Sequence, residues 1–114
     1  MNYIEERPWG KFETLSDEEY TKVKKITVNP GGVLSYQLHY NRSELWVIVQ
    51  GEAIVKLNDV EYTKVYGDTV SISACDKHNI RNEQEIDLIF IEVQTGGYFG
   101  EDDIVRFEDK YNRE

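Results

Sequence analysis

Gln37, His39, Glu44 and His78 are the residues of this chain whose types and order could do chemistry. In the segment VLSYQLHY, residues 33–40, strand alternation puts Ser35, Gln37 and His39 on one face and Leu34, Tyr36, Leu38 and Tyr40 on the other. Gln37 and His39 then point the same way. Glu44 stands just before a continuous apolar stretch, and His78 opens a later extended segment. Two imidazoles, a carboxylate and an amide oxygen make a four-donor set for a borderline divalent metal. Taken alone, each residue also has a plain structural role: a hydrogen-bonded strand histidine, a solvated strand end, a surface amide.

Such a set needs a frame that brings residues 37–44 next to residue 78. Residues 20–28, 33–40, 45–49, 53–57, 69–72 and 86–93 are rich in β-branched and aromatic side chains and read as strands. Turn chemistry separates them: Asn29-Pro30-Gly31-Gly32, Gly51-Glu52, Asn58-Asp59, Gly67-Asp68 and Gly96-Gly97. Short strands at this regular spacing predict an all-β barrel or sandwich, and the length predicts a single domain over residues 1–114. Two stretches have helical character. Residues 17–20 are too few to matter, and in residues 101–111 Ile104, Phe107 and Tyr111 fall at i, i+3 and i+7.

Thirteen Lys and Arg against 22 Asp and Glu give a formal charge of −9, and no basic run interrupts it. That field repels a phosphate backbone and excludes nucleic acid as the expected partner. A small anion is not excluded, because a few local cations outweigh a distant field screened within about 8 Å. One cysteine, Cys75, forbids an internal disulfide and fits a reducing compartment. Residues 1–8 hold Glu5, Glu6 and Arg7 and no apolar leader core, and the longest apolar run, residues 45–49, is far short of a membrane span. The expected location is the cytoplasm, with no membrane partner. The thin apolar content of 39%, with Leu34, Tyr36, Leu38, Tyr40 and Leu45 expected to face outward, points to a homodimer.

Written with its spacings, the first polar segment is Gly31-x5-Gln37-x-His39-x4-Glu44-x6-Gly51, and the second, 15 residues on, is Gly67-x5-Ser73-x-Cys75-x2-His78-x3-Asn82. These resemble the two cupin motifs, at 31–51 and 67–82. In that superfamily a small double-stranded β-helix, or jelly-roll barrel, with little helix brings the motif donors to one metal. Gln37 stands where the first His is usual, Ser73 where Pro is usual, and Cys75 where Gly is usual. Three longer segments narrow the likeness: RPWGKFETL (7–15), VKKITVNPGGVLSYQLHYNRSELWVIVQGEA (23–53) and IEVQTGGYFGEDDIVRFEDKYNR (91–113). They are similar to the cupin domain of type II mannose-6-phosphate isomerases, which usually follows a mannose-1-phosphate guanylyltransferase domain. The chain has no Gly-rich phosphate loop and no length for a nucleotide-binding domain, so no guanylyltransferase activity is expected of it.

The resemblance implies a metal-dependent isomerase interconverting mannose 6-phosphate and fructose 6-phosphate. The metal would be held by Gln37, His39, Glu44 and His78. Zinc is the first expectation, and spacing does not separate it from iron, nickel, cobalt or manganese. Arg42, in the family's Arg-x-Glu motif, is expected to share a face with Glu44 and to serve a phosphate or a developing oxyanion. Lys24 and Arg106 match family positions that would complete a site for a small phosphorylated sugar. Glu101, in the acidic run Glu101-Asp102-Asp103, is the candidate general base. Leu45 departs from the family's Glu-His-Trp; strand parity turns it away from Glu44, but the departure leaves two alternatives. One is a non-catalytic cupin that binds a sugar phosphate or nucleotide sugar, as partner of a separate guanylyltransferase. The other is a different metallocupin enzyme, a dioxygenase or an epimerase.

Overall fold

Alternating β-branched and polar residues, broken by turn residues every few positions, commit the backbone to pairing strands. The computed structural model describes residues 3–100 and 102–111, and among them there is no helix, hence none long and apolar enough to cross a membrane. The strands are β1 (Tyr3–Arg7), β2 (Gly10–Asp17), β3 (Thr21–Val28), β4 (Tyr36–Leu38), β5 (Arg42–Gln50), β6 (Glu52–Leu57), β7 (Val60–Val65), β8 (Thr69–Ile72), β9 (His78–Arg81), β10 (Leu88–Gly96) and β11 (Val105–Glu108). They form two antiparallel sheets, ordered β1-β2-β3-β10-β5-β8 and β11-β4-β9-β6-β7. This is the all-β, double-stranded β-helix that the resemblance to the cupin motifs implied.

Cross-strand register explains how the larger sheet positions a polar site inside an apolar barrel. One inward row runs Phe12, Ile26, Phe90, Ile48 and is hydrophobic throughout. The next runs Thr14, Lys24, Glu92, Trp46, Val70, and the one beyond runs Lys22, Gln94, Glu44, Ile72. Side chains of one parity therefore change from apolar to polar along the strands, so the barrel has a closed greasy end and a functional end. Trp46 and Phe90, with ring centroids 5.0 Å apart, stand at the boundary. The core also takes Trp9, Val28, Ala53, Val55, Ile80 and Leu88.

The motif glycines and their neighbours are structural hardware. Gly31, Gly51 and Gly67 turn at φ of +81°, +88° and +89°, and a Cβ on Gly51 would lie 3.1 Å from the Asp87 carbonyl oxygen. Asn82, 1% exposed, donates through Nδ2 to the carbonyls of Val28 (3.0 Å) and Ile86 (2.8 Å) and accepts from the Gln84 N–H, tying the end of β3 to the loop before β10. Ser73, in the place of the usual Pro, donates its backbone N–H to Asp76 Oδ2 at 2.9 Å, a bond proline cannot make. Cys75 sits at φ +72°, a left-handed conformation that costs a residue with a Cβ. Cys75→Gly is therefore expected to raise stability by about 0.5–1 kcal/mol, the relief of that strain less the added freedom of the unfolded chain. The midpoint of urea unfolding measures it, and a lower midpoint would show that the turn gains nothing from glycine.

Two expectations are corrected. Residues 102–111, the described part of the expected helix, do not form one: β11 pairs with β4, Ile104 lines the cavity described below, and Phe107 packs on Tyr36 with centroids 5.9 Å apart. Tyr111 reaches the core and accepts the Val33 N–H at 3.2 Å. An isolated helix of that length is marginal in water, whereas the open edge of β4 offers a backbone partner. Residues 33–40 are not one strand either. Val33 makes an isolated bridge to Arg81 and pairing resumes at Tyr36, so Leu34 packs against the core instead of facing out. Tyr36 is also buried, at 3% exposure, whereas Tyr40 and Leu45 are exposed.

Candidate metal centre

Strand parity aims Gln37 and His39 from one sheet at Glu44 from the other, and β9 delivers His78 between them, opposite Gln37 in the register. His39, Glu44 and His78 are all buried, and each offers a donor atom within 4.8 Å of the others. The separations are 3.5 Å from His39 Nε2 to Glu44 Oε2 and 3.8 Å from His78 Nε2 to Glu44 Oε1. These three residues could hold a metal ion.

The surrounding hydrogen bonds fit the imidazoles for that purpose. His39 Nδ1 lies 2.7 Å from the Asp103 carbonyl and His78 Nδ1 lies 2.9 Å from the Asp76 carbonyl. A carbonyl only accepts, so Nδ1 carries the proton in both rings and each Nε2 presents a lone pair to the centre. His78 Nε2 is buried with no hydrogen-bond partner. Burial, and then the nearby Arg42 charge, push His39 down to about 4, and burial also lowers His78. Both rings are thus neutral ligands at ordinary pH. Gln37 directs its amide nitrogen at His39 Nε2 (3.3 Å), while its oxygen accepts from Ser35 Oγ (2.6 Å). A half turn of the amide exchanges the two ends, bringing the oxygen to the centre and letting the nitrogen donate to Ser35.

Arg42, 6% exposed, shares the face of Glu44 as the sequence implied, and its contacts go further. Its Nε donates to Glu44 Oε2 at 3.0 Å and its Nη2 to His39 Nε2 at 2.9 Å. The guanidinium therefore engages the lone pairs that a metal would use. Leu45 points away, 41% exposed, as its parity required.

Beside this group opens a cavity of about 520 Å³ whose wall includes Arg7, Lys24, Arg42, Arg106, Gln37, His39 and Glu92. Lys24 and Arg106 thus reach the same space as the motif residues. Lys24 Nζ lies 4.2 Å above the Phe12 ring and the Arg7 guanidinium lies 5.2 Å from it, while Arg106 Nε donates to Ser35 Oγ at 3.3 Å. A chain at −9 overall has gathered four cations around one hollow. Glu101 lies outside the described residues. Its neighbour Asp103 is a clamp: its carboxylate accepts the N–H groups of Tyr40 (3.0 Å) and Asn41 (2.9 Å) while its carbonyl orients His39.

The sequence reading missed Glu92 and Gln94. Both are buried on β10, where Trp46 Nε1 donates to Glu44 Oε1 (3.0 Å) and Glu92 Oε1 (3.2 Å), and Gln94 Nε2 donates to Glu92 Oε2 (2.6 Å). Burial, and then the Glu44 charge, raise Glu92 to about 7. The signal was available: Glu92 and Gln94 share parity with Leu88 and Phe90, so a strand that buries the latter turns the former inward too.

Comparison with known proteins shows the family and the fold. The family model described as mannose-6-phosphate isomerase C-terminal matches residues 3–109. A mannose-1-phosphate guanylyltransferase from Salmonella montevideo is 45% identical over 107 residues, which are 94% of this chain and 23% of that protein. The alginate biosynthesis protein AlgA of Pseudomonas putida is 42% identical over 114 residues, 99% of this chain and 24% of that protein. The crystal structure of a RmlC-like cupin from Shewanella frigidimarina superposes with a TM-score of 0.76 at 22% identity, covering 89% of this chain and 87% of that one, which shows the cupin fold. The chain spans about a quarter of the length of these curated relatives. They correct one expectation: an isomerase acting by itself, with guanylyltransferase activity set aside, does not match relatives that are named for guanylyl transfer and alginate biosynthesis and share only this part of their length.

Proposed function

The chain belongs to the mannose-6-phosphate isomerase C-terminal family, and from that premise we propose that its barrel binds a divalent metal, zinc first, and beside it a small phosphorylated sugar. The observation that carries this reading is the 520 Å³ cavity, whose wall joins His39 and Gln37 to Lys24, Arg42 and Arg106. Two imidazole lone pairs, one carboxylate and an amide oxygen suit zinc, with iron, nickel, cobalt and manganese as the other ions such a set accepts. An ion held by Gln37, His39, Glu44 and His78, only one of them anionic, supplies Lewis acidity toward a carbonyl or hydroxyl oxygen of the sugar.

The protein groups do the rest. Asp103 and Asp76 hold the imidazoles through their backbone carbonyls, and Trp46 fixes the Glu44 carboxylate through its indole N–H. Arg106 supplies positive charge for the phosphate, and Lys24 adds positive charge to the same cavity. Arg42 stands between the cavity and the ligand carboxylate, placed to stabilise negative charge on a sugar oxygen. Trp9, Phe12, Ile26, Leu34 and Ile104 give the cavity apolar walls that limit water.

The test is calorimetric titration of the zinc-loaded protein with mannose 6-phosphate, fructose 6-phosphate and unphosphorylated mannose, before and after chelation. Both phosphates are expected to bind at least about tenfold tighter than mannose, and chelation to weaken them. Equal affinity for mannose, or none for the phosphates, overturns the reading. A coupled assay on the same samples reads whether bound sugar is also turned over; turnover is an outcome of the experiment and not part of the proposal.

A further inference from the structure

The cavity carries a buried acid that neither the metal nor a phosphate calls for. Glu92, 7% exposed, faces the cavity from β10 between its cross-strand neighbours Lys24 and Trp46. The other acid on that wall among the described residues, Glu6, is exposed. Two buried donors fix the orientation of the Glu92 carboxylate: Trp46 Nε1 on Oε1 at 3.2 Å and Gln94 Nε2 on Oε2 at 2.6 Å. Each oxygen has capacity for a further hydrogen bond.

Hydrogen-bond complementarity then decides which part of a phosphorylated sugar can approach. A phosphate dianion brings only acceptor oxygens, and both Glu92 oxygens already act as acceptors from Trp46 and Gln94, so phosphate gains no hydrogen bond there. Hydroxyl groups, being neutral donors, are attracted to the same oxygens, and a charged acceptor strengthens the bond. With Arg7 and Arg106 on the wall and Lys24 next to Glu92 in the register, a ligand can satisfy both demands in one orientation, phosphate to the arginines and hydroxyls to the acid. We propose that Glu92 is a specificity-determining residue that accepts hydrogen bonds from the sugar hydroxyls and so sets the direction in which the sugar phosphate lies in the cavity. This rests on the sugar-phosphate reading above.

Glu92→Gln tests it with little disturbance. The introduced amide nitrogen can face Gln94, whose Oε1 is buried with no hydrogen-bond partner and can turn to accept from it. Zinc-loaded wild type and variant are titrated with mannose 6-phosphate and with inorganic phosphate, with zinc stoichiometry and thermal midpoint recorded for both. The expected result is an affinity for mannose 6-phosphate weakened about tenfold or more, with inorganic phosphate bound as well as before or tighter. A wild type that binds mannose 6-phosphate, together with a variant that binds it within twofold or loses inorganic phosphate equally, overturns the role of Glu92 alone. A wild type that binds mannose 6-phosphate no tighter than inorganic phosphate overturns the sugar-phosphate reading, and this inference with it.

Discussion

His78→Ala is expected to leave a folded barrel that no longer retains a divalent ion, its affinity falling by at least about a hundredfold. The expectation rests on what the imidazole does and does not do in the fold. Its Nδ1–H is committed to the Asp76 carbonyl, its Nε2 is buried without a partner, and no other side-chain donor of β9 is within the three-residue group. Packing against Trp46, with ring centroids 5.8 Å apart, is lost with the ring, at a cost of about 1–3 kcal/mol that a barrel with so many other buried side chains withstands. Competition with a chromophoric chelator reads the affinity, and the far-ultraviolet dichroism spectrum reads the fold. Retention of one tightly bound ion per chain would show that the ligand set is wrong.

What the sequence made legible followed from strand parity. Gln37 with His39, and Glu44 opposed to Leu45, are two-residue periodicities that survive any error in strand ends, and all four point as the alternation required. The same rule applied to β10 would have turned Glu92 and Gln94 inward. A long β-branched run gives a boundary and a face, but it does not announce that its last inward positions are polar for a reason. Asp103 lay further out of reach. Its carboxylate binds backbone N–H groups more than 60 positions earlier in the chain, and only the pairing of β11 with β4 brings the two segments together. That pairing is also why Ile104, Phe107 and Tyr111, at helical spacing, end in three different surroundings.

The departures from the cupin motifs show the same division. Ser73 and Cys75 change the turn that precedes His78, yet the Ser73 N–H finds Asp76 and the Cys75 N–H donates to the His39 carbonyl at 2.7 Å. The turn therefore still ties the two histidine segments together. Neither substitution removes a donor from the candidate metal centre. The strain at Cys75 is local, whereas Arg42 engages the ligands themselves.

Arg42→Met is expected to destabilise the metal-free protein by about 3 kcal/mol and to have a much smaller effect once zinc is bound. Arg42 and Glu44 are both buried, with side chains 5% and 2% exposed and a separation of 3.0 Å, so truncating the cation leaves a desolvated carboxylate without its paired guanidinium. The Trp46 N–H remains on that carboxylate but carries no full charge. A divalent ion restores positive charge to the same oxygens, and it no longer competes with Nη2 for the His39 lone pair. Zinc should therefore raise the thermal midpoint of the variant more than that of the wild type, while affinity for mannose 6-phosphate falls with the loss of a cavity cation. Thermal unfolding with and without zinc, at matched protein concentration, measures both effects. If the metal-free variant is as stable as wild type, the Arg42–Glu44 pair does not hold the centre together; if zinc stabilises both proteins equally, the guanidinium does not compete for the ligands.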